Sequence, residues 1–345
     1  VNEHIAYAMR NEADKKSWIS FNSPSELLDW SHLAIDVLIL IGFLLALAHA
    51  WKTYKNSGSP SAFLTLLSCV LYGLFMDILS YYTVENFWHG EFSVMLLFNK
   101  LPLYIVCLYP AIIYHSIMTI KRYDFSRLTE SILSGFLSGF LYMIFDNFGP
   151  MVGWWIWDIT DPTTFPYVSS VPLTSYAWMF LFTTAFTFIN RAICWNWVEK
   201  GVSKFKIALA IIFMPIATVF CGVILFIPQN LFAKSSPPYQ ILIPWEANVQ
   251  MAALVYVIMF TSAGWLFLMK WRKPKYKRDS LLMAFPFIYL TAFAYMYISK
   301  FHLFFNVTEQ GLSQGLAVGN IFAVIFALII SSLIILKSHP VPKEE

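Results

Sequence analysis

Charge is the first thing this chain lacks. Only 12% of its 345 residues are Asp, Glu, Lys or Arg, about half of the roughly 25% found in soluble domains. Lysine and arginine are absent altogether from Leu128 to Asn190. Cysteine is scarce, and Cys69, Cys107, Cys194 and Cys221 lie within or beside apolar runs with no metal-ligand spacing. That placement suits packed, unreactive positions. No serine elbow, phosphate loop, HExxH, EF-hand or haem spacing occurs, which removes the enzyme classes those motifs define. No repeat period or low-complexity segment appears, and the short loops leave no room for a second domain. One basic cluster, around Lys273 to Arg278, follows an apolar run and has a topological use, so a nucleic-acid partner is not expected.

What is present is apolar length. Hydrophobic residues make up 58% of the chain and aromatics 18%, gathered in runs long enough to cross about 30 Å of hydrocarbon. Nine spans are predicted: Ser31–Trp51, Ala62–Tyr82, Val94–Met118, Ser131–Phe148, Thr174–Ile193, Ile207–Pro228, Asn248–Met269, Leu281–Ile298 and Leu316–Leu336. The class is all-α and polytopic, because runs of this length satisfy every backbone group only as helices. Residues 1–30 form an N-terminal segment, 31–336 one membrane domain with an aromatic loop at 149–173, and 337–345 a tail.

Basic residues set the orientation. The odd-numbered loops and the tail collect 17 of the 23 lysines and arginines. The other side holds Arg10, Lys15, Lys16, Lys100, Lys234 and Lys300. The positive-inside rule then puts the C-terminus in the cytosol and the N-terminus in the lumen or outside the cell. The sequon Asn306-Val307-Thr308 falls on the non-cytosolic side, where a glycan is added. The endoplasmic reticulum and the plasma membrane both fit.

With that topology the acids gather toward the outer face. Asp36 lies in span one, Asp77 in span two, Asp146 at the end of span four, and Asp158 and Asp161 in the following loop. Ionisable groups at membrane depth raise a functional hypothesis. The structural alternative for Asp77 is an ion pair with Lys100, joining spans two and three. Asp29, His32 and Asp36 share a helix face by their spacing. With His89, Glu85 or Asp77 they make a weak metal set, against the simpler reading that Asp29 or Ser31 caps the helix. Neither metal nor cofactor is expected; bound lipid is.

The stretch from Asp146 to Trp178 combines three acids, four prolines and the tryptophans Trp154, Trp155 and Trp157. Indole rings settle at headgroup depth, so Trp154, Trp155, Trp157, Tyr167 and Trp178 are read as lipid or partner contacts. Gly153 to Trp157 is expected to form a short interfacial helix. As a lid, this loop roofs the polar cluster.

Val171-Pro172 followed by Trp178 resembles a turn in carotenoid-hydratase-like membrane proteins, over about thirty residues. The resemblance implies a polytopic fold with acids and aromatics beside its helices, and carries no catalytic residue over. Seven-span hydrolases of the ceramidase and adiponectin-receptor type need a late His-x-x-x-His, which is absent. Taken whole, the chain resembles an uncharacterised animal-type polytopic family. Inverted repeats and pore rings, expected of transporters and channels, are also missing. Two functions follow. One is a non-enzymatic, lipid-interacting subunit of a larger assembly, helping lipid into a transfer machine. The other is a lipid-modifying enzyme using Asp36, Asp77, Asp146 and Asp158 or Asp161 as acid–base groups.

Overall fold

The computed structural model describes residues 17–84, 87–158, 167–168, 171–230, 245–270, 274, 279–305, 307–308 and 311–339. Among them are nine helices long and apolar enough to cross a membrane. They are α1 (Trp30–Ser57), α2 (Ser61–Leu79), α3 (Leu103–Lys121), α4 (Arg127–Phe148), α5 (Leu173–Asn190), α6 (Lys204–Asn230), α7 (Trp245–Met269), α8 (Ser280–Ser299) and α9 (Ile321–Ser338). The chain is a multi-pass membrane protein of the all-α class, its short strands confined to the loops.

Burial sorts the helices into inner and outer sets. In their most apolar windows α3 is 89% buried and α4 78%, whereas α6 and α7 are 28% and 17%. Small residues explain how α4 gains neighbours. Ser131, Ser134, Gly135, Ser138 and Gly139 recur at three- and four-residue intervals and form one low ridge. A Cβ on Gly135 would collide with Thr184 Oγ1 and the Phe180 carbonyl of α5, so glycine there sets the α4–α5 approach. Tyrosines from α8 complete the seam: Tyr289 donates to the Leu141 carbonyl (2.8 Å) and Tyr297 to the Ile144 carbonyl (2.9 Å). Each occupies a second lone pair that the helical ladder leaves free.

Helix ends follow local chemistry. Asp29 caps α1, its side chain accepting from the Ser31 amide at 2.9 Å, which is the capping reading of that residue. Asn320 caps α9 and Asp279 caps α8 in the same way. Within α3, Pro110 supplies no amide hydrogen, and a π-helical turn over Pro110–Tyr114 absorbs the mismatch.

Two predicted spans begin too early. Val94 does not open span three; strands β3 (Val94–Leu96) and β4 (Leu101–Pro102) form a hairpin, and the helix starts at Leu103. The hairpin turns through Leu97, Phe98 and Asn99, all with φ between 52° and 66°. Three successive left-handed residues cannot continue a helix, and an apolar composition hides them. Likewise β8 (Leu312–Ser313) pairs with β9 (Leu316–Ala317), so α9 starts at Ile321 rather than Leu316.

These hairpins belong to a cap over one end of the bundle. Its other strands are β1 (Ile19–Phe21), paired with β3, and β2 (Phe87–His89), paired antiparallel with β5 (Trp155–Trp157). A short pair, β6 (Tyr167–Val168) with β7 (Val171–Pro172), leads into α5. In place of the predicted helix at Gly153–Trp157, Gly153 turns the chain with φ 77° and Trp155–Trp157 form a strand whose backbone bonds are met by β2.

At the opposite end, Glu130 of α4 pairs with Arg191 after α5 at 2.9 Å, with the Glu130 side chain 1% exposed. Lys121 stacks over Trp195 at 3.8 Å. Removing one member of a buried pair strands the other charge and costs about 3–5 kcal/mol, whereas replacing both with apolar residues is far milder. Glu130→Ala should accordingly lower the thermal unfolding midpoint in detergent sharply, and the double variant Glu130→Leu with Arg191→Leu should recover most of the loss. Equal losses for the two would count against a structural ion pair.

Candidate lipid-binding cavity

A cavity of about 320 Å³ lies beneath the cap, between α2, α3, α4, α5 and α6. Its polar end begins on α2. Gly73 and Asp77 are four residues apart and so share one face. The Tyr109 ring of α3 lies on Gly73, where a Cβ would overlap its ring carbons. The hydroxyl thereby reaches along α2 and donates to Asp77 Oδ1 at 3.0 Å. Asp77 is 5% exposed and lines the cavity, and its Oδ2 has no hydrogen-bond partner. Such an atom is costly to leave unmet.

The cap supplies the roof. His89, Trp155 and Trp157 come from the paired strands β2 and β5 and all line the cavity. His89 Nδ1 faces the Trp154 carbonyl at 3.3 Å, and the Gly90 amide donates to the same oxygen at 2.9 Å. Burial holds the His89 pKa down to about 3, against the smaller opposing pull of the Trp154 carbonyl. The imidazole is therefore neutral. The remaining walls are largely apolar and aromatic: Ile105 and Leu108 of α3, Phe145 of α4, Trp178 and Phe182 of α5, and Val219, Val223 and Phe226 of α6. Val223 is half exposed on the outer surface of α6, so the cavity's rim reaches the side of the bundle that meets lipid.

The remaining candidates separate. Asp146 is wholly buried, with the Ser175 side chain as a polar neighbour. It sits behind the cavity wall, on α4 one turn from Tyr142, and acts on Tyr142 and Ser175, which do line it. Asp36 accepts from the Ser93 amide at 3.0 Å and pins the cap to α1. Asp158 is half-buried at the end of β5. Asp161 and Asn306 lie outside the described residues, as does the side chain of Tyr167.

Asp77 and Lys100 do not pair. Lys100 sits in the β3–β4 hairpin rather than in a span, with its Nζ 5.1 Å over the Tyr82 ring, while Asp77 turns to Tyr109. The weak metal set disperses as well. His32 faces the Asp29 and Gly153 carbonyls at 3.2 and 3.4 Å and stacks with Phe92, so with Asp36 it fastens the cap. Trp154 is not a surface anchor either: it is 0% exposed, packed against Phe145, Phe148 and Phe293, and donates to Ser31 Oγ at 3.1 Å. Trp155 is 3% exposed. These indoles face inward because the cap, not the bilayer, surrounds them.

At the cap's edge, Lys300 pairs with Asp29. Burial alone would raise the Asp29 pKa, but bonds from Lys300 and Ser31 outweigh it and hold the carboxyl below its usual value.

Sequence reasoning missed Tyr109, Tyr142 and Ser175. A glycine four residues before a buried acid was the available sign of a close-packed partner. Asn147 also escaped notice. It bonds the Tyr176 hydroxyl at 2.6 Å and accepts from the Asn320 amide at 2.9 Å, joining α4, α5 and the start of α9.

With nine apolar helices among the described residues and a capped, mainly apolar cavity, the class is a polytopic membrane protein. The chain belongs to the family described as Domain of unknown function (DUF7802), whose pattern matches residues 13–335. No curated protein and no solved structure matches it.

His89 gives the site a pH signature. Unfolded histidine titrates near 6.5, so between about pH 6.5 and 3 the unfolded chain binds a proton that the folded chain refuses. Its contribution to stability is complete above 6.5 and falls as pH drops. Between pH 7 and 5 that loss is about 2 kcal/mol. His89→Asn, which keeps a donor for the Trp154 carbonyl, should make the fall of the unfolding midpoint over this interval less steep by this one histidine's share; an unchanged slope would place His89 in contact with water.

Proposed function

We propose that this protein binds lipid in the cavity beneath its cap, as a non-enzymatic subunit of a larger membrane assembly that helps lipid into a transfer machine. The observation that carries the reading is the composition of the walls: mainly aromatic and aliphatic, with Asp77 as the one acid among the described lining residues, beside uncharged polar groups such as Ser80, His89 and Ser175, and a rim at Val223 on the lipid-facing surface of α6. Ligand sites of this kind run from about 300 to 1,000 Å³ with few polar groups. Pro172 and Trp178, which carry the resemblance to carotenoid-hydratase-like proteins, both line the cavity.

An acid–base enzyme was the competing expectation. It calls for two carboxylates and a histidine in one concavity, where mutual repulsion would separate their roles. Asp77 and His89 share the cavity, but Asp146 stands behind its wall and Asp36 is bonded to backbone. One acid with a neutral histidine suits recognition better than proton transfer. The outward side chains of α7, with Trp265 and Met269 both 65% exposed, offer a broad apolar face to lipid or to a neighbouring subunit. The N-terminus and cap lie on the lumenal or extracellular side in this reading, in the endoplasmic reticulum or plasma membrane.

Val223→Trp should fold, since the position is half exposed, and should block the rim. Closing off two methylene positions of a guest chain costs roughly 1.6 kcal/mol, so lipid retained through purification, measured by native mass spectrometry, should drop ~tenfold. Undiminished lipid would sink the cavity as the binding site.

Orientation is tested separately. A cysteine placed beside Lys273 should resist membrane-impermeant reagents until the membrane is opened, and Asn306→Gln should abolish a glycosidase-sensitive shift in mobility. Labelling of the Lys273 site in intact cells would invert the topology.

A further inference from the structure

The walls of the cavity specify more than an apolar guest. Resting on the lipid-binding reading above, we infer that the site selects a single-chain lipid whose polar group is one uncharged hydroxyl, and discriminates against the same chain bearing an anionic head.

Charge makes the first argument. Among the described residues that line the cavity there is no lysine or arginine. The described cations of the cap are committed elsewhere: Lys100 to the Tyr82 ring and Lys300 to Asp29. A carboxylate or phosphate placed here would meet Asp77, aromatic walls and the neutral hydroxyl groups of Ser80, Tyr142, Thr174 and Ser175, with no counter-charge, and a buried anion without a counter-charge is heavily penalised.

Hydrogen-bond polarity makes the second. Asp77 Oδ1 is taken by Tyr109, which leaves Oδ2 as a buried polar atom without a partner. On His89, Nδ1 faces the Trp154 carbonyl and must carry the hydrogen, so the lone pair sits on Nε2. Both groups can therefore accept. A hydroxyl donates to such an atom, and it also accepts, so it matches Asp77 in either protonation state. A hydrocarbon leaves Oδ2 unmet. An ammonium brings three donors and a charge whose desolvation its pairing with one acid must offset.

Volume makes the third. At about 320 Å³ the cavity is at the small end of ligand sites. It suits one chain and a small head, with the remainder of the chain passing over Val223 toward the bilayer.

The test uses the full chain in nanodiscs with photoactivatable probes that share one long alkyl chain and differ only in the head: alcohol, carboxylic acid, primary amine and plain hydrocarbon. Cross-linked peptides are located by mass spectrometry. The alcohol should label peptides lining the cavity about tenfold more than the acid or the hydrocarbon, the factor that one hydrogen bond of about 1.4 kcal/mol supplies. Asp77→Leu should erase the advantage over the hydrocarbon, with its unfolding midpoint measured to show that it folds. Equal labelling by all four probes, or preference for the acid or the amine, overturns the headgroup inference while leaving lipid binding intact. Labelling of the cavity by none of them removes the lipid-binding reading itself, and the inference with it. Because the wild-type comparison decides alone, the inference stays falsifiable even if Asp77→Leu fails to fold.

Discussion

A helix enclosed by five others has no water to satisfy its polar atoms, and α4 is in that position, with α3, α5, α7, α8 and α9 around it. Everything on its surface must be small, apolar or bonded to a neighbour. Serines and glycines at helical spacing admit α5 closely, while Tyr289 and Tyr297 bring hydroxyls from α8 to its carbonyls. At its end Asn147 extends the same solution into the cap, gathering Tyr176 and the Asn320 amide. Asp146, fully buried on the same helix, has the Ser175 side chain of α5 beside it.

The same constraint divides the polar residues under the cap into two groups. His32, Asp36 and Trp154 are bonded to backbone or to Ser31 and hold loops in place. Asp77 is bonded through one oxygen only, and its other oxygen belongs to the cavity. What separates them is partnership rather than depth: the first three are fixed by bonds to the cap or to α1, while Asp77 keeps one oxygen without a partner in the wall of the cavity.

Much of the framework was legible in the residues. Long apolar runs can only be helices in lipid, and Asp29 before Ser31 reads correctly as a cap because an N-cap depends on chemistry two or three residues away. The cap is where reading along the chain failed. Leu97 and Phe98 look like membrane residues but turn the chain in left-handed conformations. Three tryptophans look like interfacial anchors, yet Trp154 and Trp155 are packed inside. Apolar composition records that a residue avoids water and does not say whether lipid or protein covers it.

The sequence by itself determined a multi-pass helical membrane protein, with nine spans among the described residues, since hydropathy and run length are local properties. Only the tertiary structure decided which of its acids face a shared space. Asp77 meets Tyr109, 32 positions away, because Gly73 lets the α3 ring lie on α2. His89 reaches the same cavity because its strand pairs with Trp155–Trp157 across more than sixty residues. Contacts of that range depend on helix approach and strand register, which no single stretch of chain encodes.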